Sequence, residues 1–126
     1  MNTRPLGLKA RLQSFRYAAK GIACMVRTQP NAWIHALATA GVLGVGALLG
    51  ISTLEWIALI LACVAVWVAE AVNTSLEFLA DATTREFSPD IGKAKDVAAG
   101  AVLMAAIGAT AVGILVFFPH VAAMLR

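Results

Sequence analysis

Three runs of about twenty apolar or small residues constrain this chain more than any other feature of its sequence. The first run, 32–51, is interrupted only by His35 and Thr39; the second, with its helical continuation, covers 54–81, and the third covers 97–119. A helix of about 20 apolar residues is long enough to cross the hydrocarbon core of a bilayer. The chain is 60% hydrophobic and 13% charged, whereas soluble domains average about 45–50% and about 25%. We therefore predict an all-α membrane protein with three transmembrane helices, forming a single membrane domain of 126 residues.

The segment 6–28 shows the pattern of an amphipathic helix. Its apolar residues recur at helical spacings, and its basic residues form the opposite face: Lys9, Arg16, Lys20 and Arg27. This pattern predicts an N-terminal helix that lies in the membrane interface, with its cations close to anionic lipid headgroups. An ordinary amphipathic helix of a soluble protein would give the same pattern.

The distribution of basic residues predicts the orientation in the membrane. Six Lys and Arg residues precede the first run, three lie in the predicted loop 82–95, and one follows the third run. Cytoplasmic segments carry the excess of Lys and Arg in membrane proteins. We therefore expect the N-terminus and the 82–95 loop to be cytoplasmic.

Four polar residues form a stripe on the second predicted transmembrane helix: Glu70, Asn73, Glu77 and Asp81. At 100° per residue they fall within an arc of about 80° along about three turns. A charge at the bilayer centre costs on the order of 2.5–3.5 kcal/mol, so this acidic stripe must face protein, water or a bound cation. Its oxygens are ligands of the kind that hold Mg²⁺ together with phosphates. A solvated helix face explains Asp81 equally well, but not Glu70, which directly follows the apolar run.

Lys93, Lys95 and Asp96 lie immediately before the third run. An ammonium group there suits a phosphate, and Asp96 suits the positive first turn of a helix. A lysine that extends to the membrane edge and an aspartate that caps a helix explain this segment almost as well. His35, inside the first run, is interpreted as a hydrogen-bonded packing histidine rather than a ligand.

Several common classes of function lack their signatures in this sequence. It contains no P-loop, no protein-kinase glycine loop, no metal-type Cys/His spacing and no G-x-S-x-G motif. A nucleotide would therefore be bound without a common nucleotide-binding fold. No nucleic-acid partner is expected.

Two linked segments resemble the signature of the bacterial diacylglycerol kinase and undecaprenol kinase family. They are EAVNTSLE at 70–77, with Asp81 one turn later, and KAKDVAAGAV at 93–102. The segment SFRYAAKG at 14–21 is similar to an N-terminal segment of the same family, and the similarity covers nearly the whole chain.

The resemblance implies a homotrimeric lipid kinase of the bacterial plasma membrane, with active sites between subunits and Mg²⁺-ATP as phosphoryl donor. By this resemblance Glu70 is the general base toward the lipid hydroxyl, and Glu77 is a metal ligand. Gln29 stands where the family usually has a second metal-binding glutamate, so it is assigned to the metal site with a weaker, neutral oxygen. The residues expected at the nucleotide are Tyr17, Gln29, Glu77, Glu86, Lys95 and Asp96, and those expected to support the site or the substrate are Asn73, Asn31 and Asp81.

The sequence leaves the acceptor lipid and one alternative function open. The Arg27-Thr28 segment with Asn31 and His35, and the AGAV run at 99–102, resemble the undecaprenol kinase branch slightly more than the diacylglycerol branch. Because of Gln29, a degenerate family member that acts as a non-catalytic membrane scaffold is the alternative to a working kinase. A cation carrier is less favoured, since Glu70 has no acidic partner at matching depth in the other two runs.

Overall fold

Four α-helices make up the part of the chain that the computed structural model describes, residues 7–83 and 88–126. They are α1 (Leu8–Thr28), α2 (Pro30–Leu49), α3 (Thr53–Thr83) and α4 (Pro89–Met124). The last three are long and apolar enough to cross a membrane. The predicted fold class, three spanning helices preceded by an amphipathic one, is confirmed.

A single residue, Gln29, separates α1 from α2. Its backbone is extended, with φ −105° and ψ 114°, and its N–H closes the end of α1 by donating to the carbonyl oxygen of Met25 at 2.9 Å. Pro30 then occupies the first turn of α2, where its missing N–H would have no partner within the helix in any case. The connection between the surface helix and the first spanning helix is therefore very short.

The turn between α2 and α3 depends on two glycines. Gly50 ends α2 in the left-handed region, with φ 62°, which glycine adopts without the steric cost of a Cβ atom. Gly46 lets Ile51 and Trp56 fold back against α2, since a Cβ added there would lie 3.0 Å from a side-chain atom of each. Ser52 and Glu55 then cap α3 reciprocally, because the Ser52 N–H donates to Glu55 at 2.7 Å and the Glu55 N–H donates to Ser52 Oγ at 3.4 Å.

The third spanning helix is longer than the sequence predicts. It begins at Pro89 rather than at Val97, so the second part of the predicted 82–95 loop is helical. Pro89 and Gly92 are residues that often break a helix, but a proline in the first turn favours a helix start. The Gly92 N–H donates to the carbonyl of the cap residue Ser88 at 3.0 Å. The helix also continues past Pro119 to Met124.

The long helix α3 is central to the packing, and its main neighbour is α4. Near the Gly50 turn, Ile51, Leu59 and Val116 form a small apolar core. Toward the other end, α3 buries three polar residues instead, Glu70, Asn73 and Thr74. Most of the outward apolar side chains of the spanning helices are exposed, as expected for surfaces that face lipid or further copies of the chain.

Replacing Gly46 with valine is expected to destabilise the protein by about 1–3 kcal/mol, because the added side chain overpacks the contact with Ile51 and Trp56. The midpoint of unfolding in detergent micelles measures this loss. Gly44→Val is the matched control, since a Cβ at Gly44 on the same helix meets nothing within 4 Å. Equal midpoints for the two variants would show that close packing at Gly46 does not support the turn.

Candidate functional site

The acidic stripe of α3 passes from buried to exposed surroundings along the helix. Glu70 is only 1% exposed, Glu77 is half-buried and Asp81 is exposed. The same helix face therefore offers carboxylates with very different access to water. The solvated-face interpretation suits Asp81 and does not apply to Glu70.

Among residues 7–83 and 88–126, neither carboxylate oxygen of Glu70 has a hydrogen-bond partner. The ring of His35 on α2 faces it, with Nε2 3.8 Å from Glu70 Oε2. That distance is too long for a hydrogen bond, and His35 Nε2 is itself buried without a partner. Buried polar atoms in folded proteins are nearly always hydrogen-bonded, so these two facing atoms mark the pair as a candidate binding or catalytic position.

Two side-chain amides hold Glu77. Gln29 Nε2 donates to one carboxylate oxygen at 3.2 Å, and Asn73 Nδ2 donates to the other at 3.3 Å. Gln29 reaches α3 because it lies in the extended junction between α1 and α2, whereas Asn73 lies one turn before Glu77 on the same helix. The Gln29 contact joins the junction between α1 and α2 to the acidic stripe of α3.

Asp81 accepts an ion-pair hydrogen bond from Lys95 Nζ at 3.0 Å, which joins α3 to α4 above the spanning segments. Lys93 instead pairs with Asp90 within α4 at 3.0 Å. Of the two predicted phosphate-binding lysines, only Lys95 is therefore beside the stripe.

An open cavity of about 310 Å³ lies beside the stripe. Asn31, His35, Glu70, Asn73 and Glu77 supply its polar wall. The opposite wall is apolar and comes from α4, through Ala99, Val102, Leu103 and Ala106. A pocket with a few convergent polar groups and an apolar wall is a suitable site for a hydroxyl group attached to a hydrocarbon chain.

The structure brings some of the predicted site residues together and leaves others apart. Glu70, Asn73, Glu77 and Asn31 line the cavity, and Gln29 contacts it through Glu77. Tyr17 and Asp96 are exposed and are not among the described residues that line this cavity, while Glu86 lies outside the described residues.

Sequence reasoning assigned His35 to packing, but the structure places it against Glu70. The available signal was that His35 is the only titratable residue inside the first apolar run. Thr74 was also missed; it is buried and its hydroxyl has no partner.

The donor set near Glu77 is chemically suited to a hard cation, although no group of three or more His, Cys, Asp and Glu side chains gathers within 7–83 and 88–126. One carboxylate is accompanied by the amides of Gln29 and Asn73. Asn73 Oδ1 is buried without a partner, and an orphaned oxygen beside a carboxylate fits a cation or its bound water.

Comparison with known proteins gives consistent relatives. The family described as prokaryotic diacylglycerol kinase matches residues 16–117. The chain is 36% identical over 107 residues to the undecaprenol kinase of Bacillus subtilis (strain 168), covering 85% of this chain and 87% of that protein. It is also 36% identical over 115 residues to a diacylglycerol kinase of Synechocystis, covering 90% of this chain and 66% of that protein.

Lys95→Gln is expected to lower the free energy of unfolding by no more than about 1 kcal/mol, because its pair with Asp81 is largely exposed to solvent. Denaturation in detergent micelles measures the change. Lys93→Gln, which breaks the more exposed pair within α4, is the control. A loss above about 2 kcal/mol in Lys95→Gln alone would contradict the assignment of this contact as an ordinary surface pair.

Proposed function

On the premise that the chain is a lipid kinase of the prokaryotic diacylglycerol kinase family, to which it belongs, we propose that it transfers the γ-phosphoryl group of Mg²⁺-ATP to a membrane lipid alcohol, with Glu70 as general base. The observation that carries this proposal is the buried, unpartnered Glu70 carboxylate beside an open cavity.

Glu70 is suited to accept a proton from a lipid hydroxyl. Its oxygens are free of hydrogen-bond donors, so one of them is available to the hydroxyl. A base must come within about 2.6–3.2 Å of the proton that it removes, and the cavity lets a hydroxyl approach Glu70 from the side of α4. The apolar α4 wall would contact the hydrocarbon part of the acceptor, which enters sideways from the bilayer.

The metal would be held at Glu77, with Gln29 as the second ligand and Asn73 in support. When bound, Mg²⁺ would neutralise charge on the transferred phosphoryl group, which is the main demand of this reaction. Gln29 and Asn73 now direct their N–H groups at Glu77, and either amide offers an oxygen after a half turn of its plane.

The nucleotide would lie on the hydrated side of the stripe. Lys95 pairs with Asp81 at the exposed end of the stripe, and exchange of Asp81 for a phosphate would bring the Lys95 ammonium to the nucleotide. Tyr17, Glu86 and Asp96 are proposed to complete nucleotide binding, as the family resemblance implies.

We propose that the N-terminus and residues 82–95 face the cytoplasm, where ATP is found, and that the chain assembles as a homotrimer in the bacterial plasma membrane. The excess of Lys and Arg in these segments supports the orientation. The open side of the cavity and the exposed small residues of α4 support assembly, because a second copy could close the site.

The acceptor is proposed to be undecaprenol rather than diacylglycerol. The two named relatives are equally identical to this chain, so the preference rests on the resemblance of two segments to the undecaprenol kinase branch. They are Arg27-Thr28 with Asn31 and His35, and the AGAV run at 99–102. Purified protein with labelled ATP, Mg²⁺ and each lipid in mixed micelles tests the proposal. Labelled product from diacylglycerol alone would overturn the choice of acceptor, and none from either lipid would favour the non-catalytic scaffold.

Glu70→Gln is expected to reduce kcat by about 10²–10⁴-fold, since it removes the proposed base while keeping the shape of the side chain. Initial rates of lipid phosphorylation measure the effect. Asp81→Asn, at the exposed end of the stripe, is the comparison and should lose much less. Retention of near-wild-type kcat in Glu70→Gln would remove Glu70 from the proposed chemistry.

Gln29→Glu is expected to lower the Mg²⁺ concentration needed for half-maximal rate, because a second carboxylate binds a hard cation more strongly than a neutral amide. Without the cation, the two carboxylates at 29 and 77 would repel each other, so the variant should also gain more thermal stability from Mg²⁺ than the wild type does. Gln13→Glu on α1 adds the same charge away from the stripe as a control. An unchanged Mg²⁺ dependence would place the metal elsewhere.

A further inference from the structure

We propose that His35 is the positioning residue for Glu70 and takes up the proton that Glu70 removes from the acceptor hydroxyl. This inference rests on the proposed kinase function. His35 lies on α2 and Glu70 on α3, so the pair spans the interface between two of the three membrane-crossing helices.

Geometry distinguishes this histidine from one that only fills space. A packing histidine normally satisfies its buried nitrogen with a hydrogen bond. His35 Nε2 is buried and unbonded, and it faces a carboxylate oxygen 3.8 Å away that is unbonded too. Hydrogen bonds at active sites are often long in the absence of substrate and shorten when it binds.

A neighbouring indole holds the His35 ring. The ring of Trp67 meets it edge to face, with centroids 6.3 Å apart and planes inclined by 68°. Trp67 Nε1 donates to Thr39 Oγ1 at 3.1 Å, one turn beyond His35 on α2, so the indole N–H is already occupied. The imidazole is thus held in place while its Nε2 stays free for Glu70.

The exposure of Glu70 and His35 indicates that the proton would move from Glu70 to His35 and then to water. Glu70 is 1% exposed and His35 is 14% exposed, and both line the same open cavity. A proton left on Glu70 would have no described neighbour other than His35 to accept it. Because Nε2 is buried, the proton that passes to water leaves the imidazolium from the other ring nitrogen, Nδ1.

The other described titratable group that lines this cavity is Glu77, whose oxygens are held by the amides of Gln29 and Asn73. The α4 wall contributes only apolar residues there, and the described part of α1 contributes none of the lining residues. His35 is therefore the one base within reach of Glu70 among the described residues of this cavity.

Atoms and charge are conserved in the proposed phosphoryl transfer. The acceptor oxygen forms a bond to the γ-phosphorus as the bond from that phosphorus to the β–γ bridging oxygen breaks, and ADP leaves with that oxygen. Glu70 takes the hydroxyl proton and passes it to His35 Nε2, which becomes an imidazolium. Loss of one proton from the imidazolium to water then returns both side chains to their starting charge, so one proton appears for each lipid phosphate formed.

His35→Gln and His35→Ala test the proposal in the full-length protein reconstituted with the lipid acceptor. We expect kcat at neutral pH to fall at least about tenfold, with little change in the KM for ATP, because only the proton-transfer step is affected. The deficit should shrink as pH rises, since hydroxide can then replace His35. Added imidazole should restore part of the activity of His35→Ala but none of that of Glu70→Gln.

His120→Gln is the matched control. It removes the other histidine, which contacts Glu55 at 2.9 Å near the opposite end of the same helix α3, and it should leave kcat and the pH profile unchanged. Wild-type rates and pH profile in His35→Gln would overturn the role of His35 while leaving the kinase intact. A loss of rate that is equal at all pH values and not rescued by imidazole would reduce His35 to a structural residue. A wild type without lipid kinase activity would instead refute the proposed function.

A second measurement does not depend on His35 variants being stable. Nuclear magnetic resonance of wild-type protein with labelled histidine should show a His35 signal whose pH titration changes when Glu70 is replaced by Gln, while the His120 signal does not change. Identical His35 titrations in both proteins would show that the pair is not coupled and would overturn the proposal.

Discussion

The burial of one carboxylate within a membrane-crossing helix is the constraint on which the candidate site depends. Removing an ionised group from water costs several kcal/mol even after the protein relaxes, and Glu70 recovers none of this through a hydrogen bond among the described residues. That cost is tolerated because α3 packs along α4 and is held near its other end by the apolar core around Leu59. One end of α3 stabilises the fold, while the other holds a group that the fold alone would not favour.

The length of α3 allows the candidate site to extend from the hydrocarbon core of the bilayer into water. At 1.5 Å per residue, the 31 residues of α3 extend about 46 Å, well beyond a hydrocarbon core of about 30 Å. Glu77 lies about 10 Å and Asp81 about 16 Å along the helix from Glu70. A buried carboxylate and an exposed one can therefore lie on the same helix.

Periodicity and apolar length were enough to predict the helices, the acidic stripe and that Glu70 does not lie on a solvated helix face, because these features depend on spacing along one helix. The contacts between elements could not be obtained in this way. Whether His35 meets Glu70 depends on how α2 is rotated against α3, and the pairing of Asp81 with Lys95 depends on α4 beginning at Pro89. A proline that breaks a helix and one that begins a helix look alike in sequence. The sequence alone therefore predicts a loop over the second part of 82–95, which is helical in the structure.

The junction at Gln29 has a mechanical consequence. Its backbone is the entire connection between α1 and α2, and its side chain is bonded to Glu77. Because the link is a single residue, the orientation of α1 relative to α2 and the position of the Glu77 side chain depend on the same few bonds. A change in the orientation of α1 would therefore move Gln29 and alter its hydrogen bond to Glu77. A ligand bound at Glu77 would in turn act on the junction between α1 and α2.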